Sequence, residues 1–245
     1  MIRIQNLAKS YGPKVALSNL DLTVEAGTFL GVLGRNGAGK TTLIRALTGQ
    51  LRPTSGTIQV LGLDLAARPL ELRRRMGVMP EPTALLEDLT GAQYLQFTGQ
   101  LRGLPFAEIQ RRARELGDLL ETDLDRPEPI AAYSFGMKKK VAFASAILHG
   151  PELLFLDEPF EGLDPVSADT LRSLLASLHA AGTTLVMTSH LLGMAERLCT
   201  RFLIIDQGGK VAEGTPGEML QGTETLEDLF LRLMGGRKTG ALSWI

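Results

Sequence analysis

The stretch Gly34-Arg35-Asn36-Gly37-Ala38-Gly39-Lys40-Thr41 has the spacing G-x-x-x-x-G-K-[ST], which wraps nucleotide phosphates. Its residue types suit that chemistry. Glycines at 34, 37 and 39 permit positive φ and let backbone N–H groups approach phosphate oxygens closely. Lys40 is expected to reach the β- and γ-phosphates, and the Thr41 hydroxyl to bind Mg²⁺. Arg35, Asn36, Ala38 and Thr42 complete the stretch that would surround the nucleotide. A chance glycine-rich turn is the plain alternative, and a full match of the pattern argues against it.

A second constellation consists of carboxylates. Asp157 and Glu158 close the apolar run Leu153-Leu154-Phe155-Leu156. Such a run reads as a buried strand, so the pair sits at its C-terminal edge, where open α/β sheets bind ligands. An aspartate there can hold Mg²⁺ through water. The adjacent glutamate is placed to polarise an attacking water as a general base. Read alone, Glu158 could equally be a polar residue ending a strand.

These side chains need rigid elements behind them. Phe29 to Leu33 is an apolar run of strand length, and Thr41 to Leu47 reads as a helix start with Leu43, Ile44 and Leu47 apolar. Strand, glycine loop and helix together aim backbone N–H groups and a positive dipole end at an anion. Asn19 to Glu25 and Gly56 to Val60 read as antiparallel strands flanking the P-loop strand. From about Pro82 to Ala146 β-branched residues are few. Thr90 to Leu101 and Pro105 to Leu120 read there as helices parted by Gly103-Leu104-Pro105, and Phe135 to Leu148 as another. Strand and helix alternate again from Glu152 to near Glu213. Leu226, Leu229, Phe230 and Leu233 form an i, i+3, i+4, i+7 stripe, which predicts a helix packed on the core. The tail from Gly235, with Trp244, is expected to be loose.

Three shorter motifs complete the pattern: Tyr133-Ser134-Phe135-Gly136-Met137, Glu161-Gly162-Leu163-Asp164 and Thr188-Ser189-His190. With the P-loop and Asp157-Glu158, they resemble the ATP-binding cassette family, the ATPase subunits of ABC transporters, over about residues 2–233. The resemblance implies an α/β fold. Its parts would be a P-loop NTPase (RecA-like) core, an N-terminal antiparallel β subdomain and an inserted α-helical subdomain. All of it forms one domain, with 1–81 and 147–220 as core and β subdomain, 82–146 as helical part with the signature motif, and 221–245 as C-terminal helix and tail. It also implies that two cassettes dimerise head to tail, each ATP lying between one P-loop and the partner's signature. Ser134 and Gly136 would then contact the γ-phosphate held at the other subunit's Lys40, with Asp164 in the D-loop. Tyr11 would stack on adenine, and His190 would donate a hydrogen bond to the γ-phosphate in the transition state.

Local structure offers second readings for several of these. Ser134 suits the N-cap of the helix it precedes, at the positive end of the helix dipole. Asp164 suits an N-cap before Pro165. His149, before Gly150-Pro151, and His179, before Ala180-Ala181-Gly182, both close helices and read as structural. Two positions depart from the family: Phe135 replaces a glycine and Met137 a glutamine of the signature. At the Q-loop stands Met79-Pro80-Glu81-Pro82, where Glu81 can bind Mg²⁺ or a water as an oxygen ligand but adds negative charge near the phosphates. This combination looks most like the ABC-2 exporter branch.

Composition narrows the function classes. Lys+Arg 26 against Asp+Glu 27 leaves a net charge of −1, which argues against a general nucleic-acid binder. Arg73-Arg74-Arg75 and Lys138-Lys139-Lys140 read as solvated helix faces. Cys199, the one cysteine, allows no internal disulfide and suits a reducing compartment. Met1-Ile2-Arg3-Ile4-Gln5 enters a strand without a signal-peptide pattern. No apolar run reaches membrane-span length, so a transmembrane permease subunit is expected as partner. A second ATPase subunit, in a homodimer at the cytoplasmic face of the membrane, is expected as the other. A soluble ABC-type ATPase of DNA or ribosomes would carry a long heptad-rich insertion or a second cassette. An ordinary P-loop kinase or GTPase would lack the Ser134–Gly136 element and His190.

Overall fold

Alternation of apolar and polar residues builds the first sheet. The computed structural model describes residues 1–80 and 84–235. In β1 (Ile2–Tyr11), Ile2 and Ile4 are buried while Arg3 and Gln5 are exposed, and β2 (Lys14–Val24) returns after Gly12-Pro13. Then come β3 (Phe29–Leu33), α1 (Lys40–Leu47), β4 (Ser55–Val60) and β5 (Leu63–Asp64). The antiparallel sheet has the order β2-β1-β4-β5, with Ile2 opposite both Val24 and Val60. The two segments that flank the P-loop strand in sequence thus belong to the expected antiparallel subdomain. They pair with β1 in a sheet of their own.

The remaining elements follow in order. α2 (Pro69–Arg75) leads into β6 (Met76–Val78), and then α3 (Gly91–Leu101), α4 (Phe106–Leu119) and α5 (Phe135–Ile147) form the helical insert. Thr90 caps α3 through a capping box with Gln93. The chain re-enters the sheet as β7 (Leu153–Leu156), followed by α6 (Pro165–Ala180), β8 (Thr184–Ser189), α7 (Leu192–Leu198), β9 (Arg201–Asp206), β10 (Gly209–Gly214), α8 (Pro216–Met219) and α9 (Leu226–Leu233). The second sheet has the order β10-β9-β3-β8-β7-β6 and is parallel except for β10.

Residue parity splits the core in two. Phe29, Leu33, Leu154, Leu156, Leu185 and Met187 face one side of this sheet and join Leu95, Ile109, Ile130 and Phe143 of the helical insert. Leu30, Val32, Leu153, Phe155, Val186 and Leu203 face the other side and join α1 and the antiparallel sheet. Strands buried on both faces need continuous apolar runs, as β3 and β7 have, while β8 is buried throughout with Thr184, Thr188 and Ser189 at its ends. The α9 stripe packs as its spacing predicts, with Leu226 and Leu229 buried and Phe230 and Leu233 against the first core.

Candidate active site

The loop between β3 and α1 is shaped by its glycines. Gly37 and Gly39 have φ of 81° and 109°. Gly34 does not share the expected positive φ. Its glycine is demanded by contact instead, because a Cβ there would stand 2.4 Å from Ile205 O. Gly39 is the N-cap of α1 and no side chain caps that helix, so its leading N–H groups are not taken by a side-chain acceptor. Lys40 is buried, and its Nζ donates to Gly34 O at 2.9 Å.

The other chemically active residues arrive from strand ends. Lys40 Nζ stands 3.4 Å from Glu158 Oε1. The second Glu158 oxygen lies 2.8 Å from His190 Nδ1 and accepts the His190 backbone N–H at 3.2 Å. Glu158 follows β7 and His190 follows β8, parallel neighbours in the sheet, which is why their side chains meet. Thr188, the next-to-last residue of β8, bridges the two carboxylate residues: its hydroxyl donates to Asp157 Oδ1 and accepts the Glu158 N–H at 2.9 Å.

Of these groups Lys40 and Glu158 line an open cleft of about 430 Å³, together with half-exposed Tyr11 and with Lys14, Arg35, Asn36, Thr41 and Thr42, whereas Asp157, Thr188 and His190 are not among its lining residues. That volume is in the range of small-molecule sites. A triphosphate fits the donor set: an anion-seeking helix end without a side-chain cap, a buried ammonium and an aromatic ring. The Lys9 ammonium lies 5.1 Å from the Tyr11 ring centroid. The Arg35 guanidinium is turned away to Met234 O, 2.8 Å, at the C-terminal end of α9.

Ser134, Gly136 and Asp164 do not line this cleft. Ser134 is the N-cap of α5 and accepts the Met137 N–H at 3.2 Å. A Cβ at Gly136 would meet nothing within 4 Å among the described residues, so none of these demands glycine there. Asp164 caps α6 by accepting the Val166 and Ser167 N–H groups, both at 3.0 Å, and these bonds, that of Ser167 foremost, hold its carboxyl below the usual value. Phe135 folds back on the D-loop, where a Cβ on Gly162 would stand 2.6 Å from its ring. His179 binds Gly27 O at 2.8 Å, and His149 binds Met76 O at 3.0 Å, away from the cleft. Glu81 lies outside the described residues, as does Trp244.

Two residues are not apparent from the sequence. Thr188 hides at the polar end of an apolar strand. Lys139 is the larger correction. Instead of joining a solvated face it is buried, donating to Glu158 O at 2.7 Å and Pro159 O at 3.3 Å. Burial lowers its pKa, and Glu161, Glu158 and Asp157 oppose that shift. The available signal was the i, i+4, i+8 line Phe135, Lys139, Phe143, which sets the lysine between two aromatics on one helix face. Among the described residues no three His, Cys, Asp or Glu side chains gather as a metal cluster.

Comparison with known proteins adds a lineage to this geometry. The family described as ABC transporter matches residues 17–161. A daunorubicin/doxorubicin resistance ATP-binding protein of Streptomyces peucetius is 41% identical over 218 residues, covering 89% of this chain and 66% of that protein. A Nod factor export ATP-binding protein of Cupriavidus metallidurans is 37% identical, covering 90% of this chain and 73% of its own length. The chain thus spans about two thirds to three quarters of these relatives. A solved ATP-binding subunit of an ABC transporter superposes with TM-score 0.88 at 32% identity, covering 96% of this chain and 99% of the other. A dimeric cassette bound to ADP and phosphate shares the fold, with TM-score 0.81 at 23% identity over 91% of this chain and 100% of that one.

Proposed function

The chain belongs to the ABC transporter family of ATP-binding subunits, and on that basis we propose that it binds and hydrolyses ATP to drive export through a separate permease. The convergence of Lys40, Glu158 and His190 at one mouth carries this reading. Tyr11 stacks on the base, and the loop from Gly34 to Thr42 cradles the phosphates. Thr41 and Asp157 would hold Mg²⁺, which would supply neutralisation of the phosphate charge. Lys40 exchanges its neighbour Glu158 for the γ-phosphate, which leaves that carboxylate to accept a proton from the attacking water. His190, anchored on Glu158, donates toward the γ-phosphate as charge builds there.

The open space at Gly136 supports the second half of the reading. A glycine that no described residue requires is suited to the close approach of a group from outside. A second copy of this chain, head to tail, brings its nucleotide to Ser134 and Gly136, with Asp164 near the shared seam. Glu81, assigned from the sequence alone, would serve as an oxygen ligand for Mg²⁺ or a water. The working unit is a homodimer at the cytoplasmic face of the membrane. Relatives of comparable identity are named for daunorubicin/doxorubicin resistance and for Nod factor export, so the permease rather than this subunit selects the cargo.

The trapped state provides the test. Glu158→Gln keeps size and a hydrogen-bonding oxygen but removes the base, so hydrolysis should slow by roughly two to four orders of magnitude. ATP held between two copies then stabilises the pair by mass action. On size-exclusion chromatography the variant is expected as a dimer with ATP and a monomer with ADP. Adding Ser134→Arg should undo the dimer. Hydrolysis by Glu158→Gln at the wild-type rate would refute the role given to that carboxylate.

A further inference from the structure

Glu158 has φ 45°, a left-handed conformation that residues with a Cβ keep only where their surroundings over-determine it. Two side chains grip its backbone. Thr188 Oγ1 accepts the Glu158 N–H at 2.9 Å. Opposite, Lys139 Nζ donates to Glu158 O at 2.7 Å and to Pro159 O at 3.3 Å. This ammonium is 4% exposed and lies 5.5 Å from the Phe135 ring centroid. Burying a charge is unfavourable unless specific partners receive it. Here the partners are the carbonyls of the two consecutive peptide units on either side of the Pro159 Cα. A space-filling aliphatic residue would occupy the position at lower free energy, so the cation's hydrogen bonds, not its bulk, distinguish it.

Lys139 stands on α5, whose first turn presents Ser134 and Gly136. Building on the shared-site reading above, in which that turn meets the partner's nucleotide while Glu158 serves its own, we propose that Lys139 is a positioning residue. It fixes the Glu158 backbone and makes the aim of that carboxylate depend on where α5 lies. It sits beyond Ser134 by about 7.5 Å along a helix rising 1.5 Å per residue, so α5 transmits displacement as a short rigid lever. With α5 seated, both carbonyls are held and Glu158 points at His190 and Lys40. With α5 displaced, Nζ withdraws, the left-handed turn relaxes, and the carboxylate loses that station. Hydrolysis at one site of the dimer thereby answers to occupancy of the other.

The test compares Lys139→Met, Lys139→Gln and Glu158→Gln with the wild-type full chain, each first checked for a cooperative thermal melt. Equilibrium binding of a fluorescent ATP analogue should stay within about twofold of wild type in both Lys139 variants. Lys139→Met, which keeps the stem but not the donor, should lower kcat at least tenfold with KM little altered and reduce the Hill coefficient for ATP toward 1. Lys139→Gln, which can still donate to one carbonyl, should recover much of the rate. In the Glu158→Gln background Lys139→Met should cause no further loss, because it acts only through that residue. A kcat for Lys139→Met within twofold of wild type, or full additivity in the double variant, would overturn the proposal. If Lys139→Met does not fold, Lys139→Leu, which likewise lacks the donor, and its double with Glu158→Gln take its place in the same comparison. Rapid hydrolysis by Glu158→Gln alone would instead defeat the catalytic reading of that carboxylate, a result distinct from any failure of Lys139.

Discussion

Thr188 shows how much one hydroxyl can hold at this site. It donates to Asp157 and accepts from the Glu158 N–H while itself fully buried. Thr188→Val keeps the shape and strands a backbone donor, so it is expected to destabilise the chain by about 1–3 kcal/mol, measurable by urea titration. The same change should slow hydrolysis, since Asp157 and Glu158 lose their common tether. Lys40→Ala removes the buried point charge facing the phosphates, and both ATP affinity and turnover should collapse. Wild-type turnover in that variant would place the active loop elsewhere. Tyr11→Ala should raise KM more than it lowers kcat, because a stacked ring contributes binding and no phosphate contact. At this scale the sequence was informative where the motif dictates residue type, as from Gly34 to Thr41. It was silent where a side chain acts on backbone atoms distant in sequence, as Lys139 does.

The helices of the insert are joined to the sheet through a small polar junction. Arg102, at the C-cap of α3, donates to Met76 O at 2.6 Å and to Arg73 O, and its guanidinium lies 3.4 Å from His149 Nε2. Burial, aided by the Arg102 charge, pushes the His149 pKa down to about 4 from 6.5. Above pH 6.5 the histidine is neutral folded or unfolded, and stability is full. Between 6.5 and about 4 the unfolded chain takes up a proton that the folded chain refuses, so stability falls as pH drops through that window. Urea midpoints measured at pH 7 and pH 5 should therefore fall further for wild type than for His149→Gln. An equal fall would mean that His149 is free to protonate in the folded chain. Boundaries of α3, α4, α5 and α9 were legible from periodicity, caps and breakers to within a residue or two. Partners of the strands were not, because alternation reveals which face a residue occupies and not which strand lies beside it. The antiparallel subdomain was legible, but not that β1 is the common partner of β2 and β4, nor that β3 lies between β9 and β8.

Across the whole molecule the six-stranded sheet is a partition. α1 and the antiparallel sheet share the core on one side, and the helical insert shares the core on the other. β3 and β8 lie inside that sheet, paired on both edges and buried along their lengths. Their amides should be the last to exchange with deuterated solvent, while those of α3 and α4 open earlier, in a smaller cooperative unit. Uniform exchange across insert and sheet, followed by mass spectrometry, would instead mean that the two cores unfold as one. The order of elements was readable in the chain as strand-rich, helix-rich, then alternating. The parity that divides the cores became visible only with the parallel register, in which Leu154 and Leu185 lie side by side.

The insert leaves the sheet after β6 and returns as β7, and these two strands are hydrogen-bonded neighbours with β6 at the sheet edge. Its two ends are therefore close together, the arrangement in which proteins best tolerate insertion and replacement. In evolutionary terms the intervening block is a cartridge. Recombination between related genes can exchange all of it without breaking a strand pairing in the sheet that carries Lys40, Glu158 and His190. One inheritance must still come with it: a donor on α5 able to reach across to the Glu158 carbonyl.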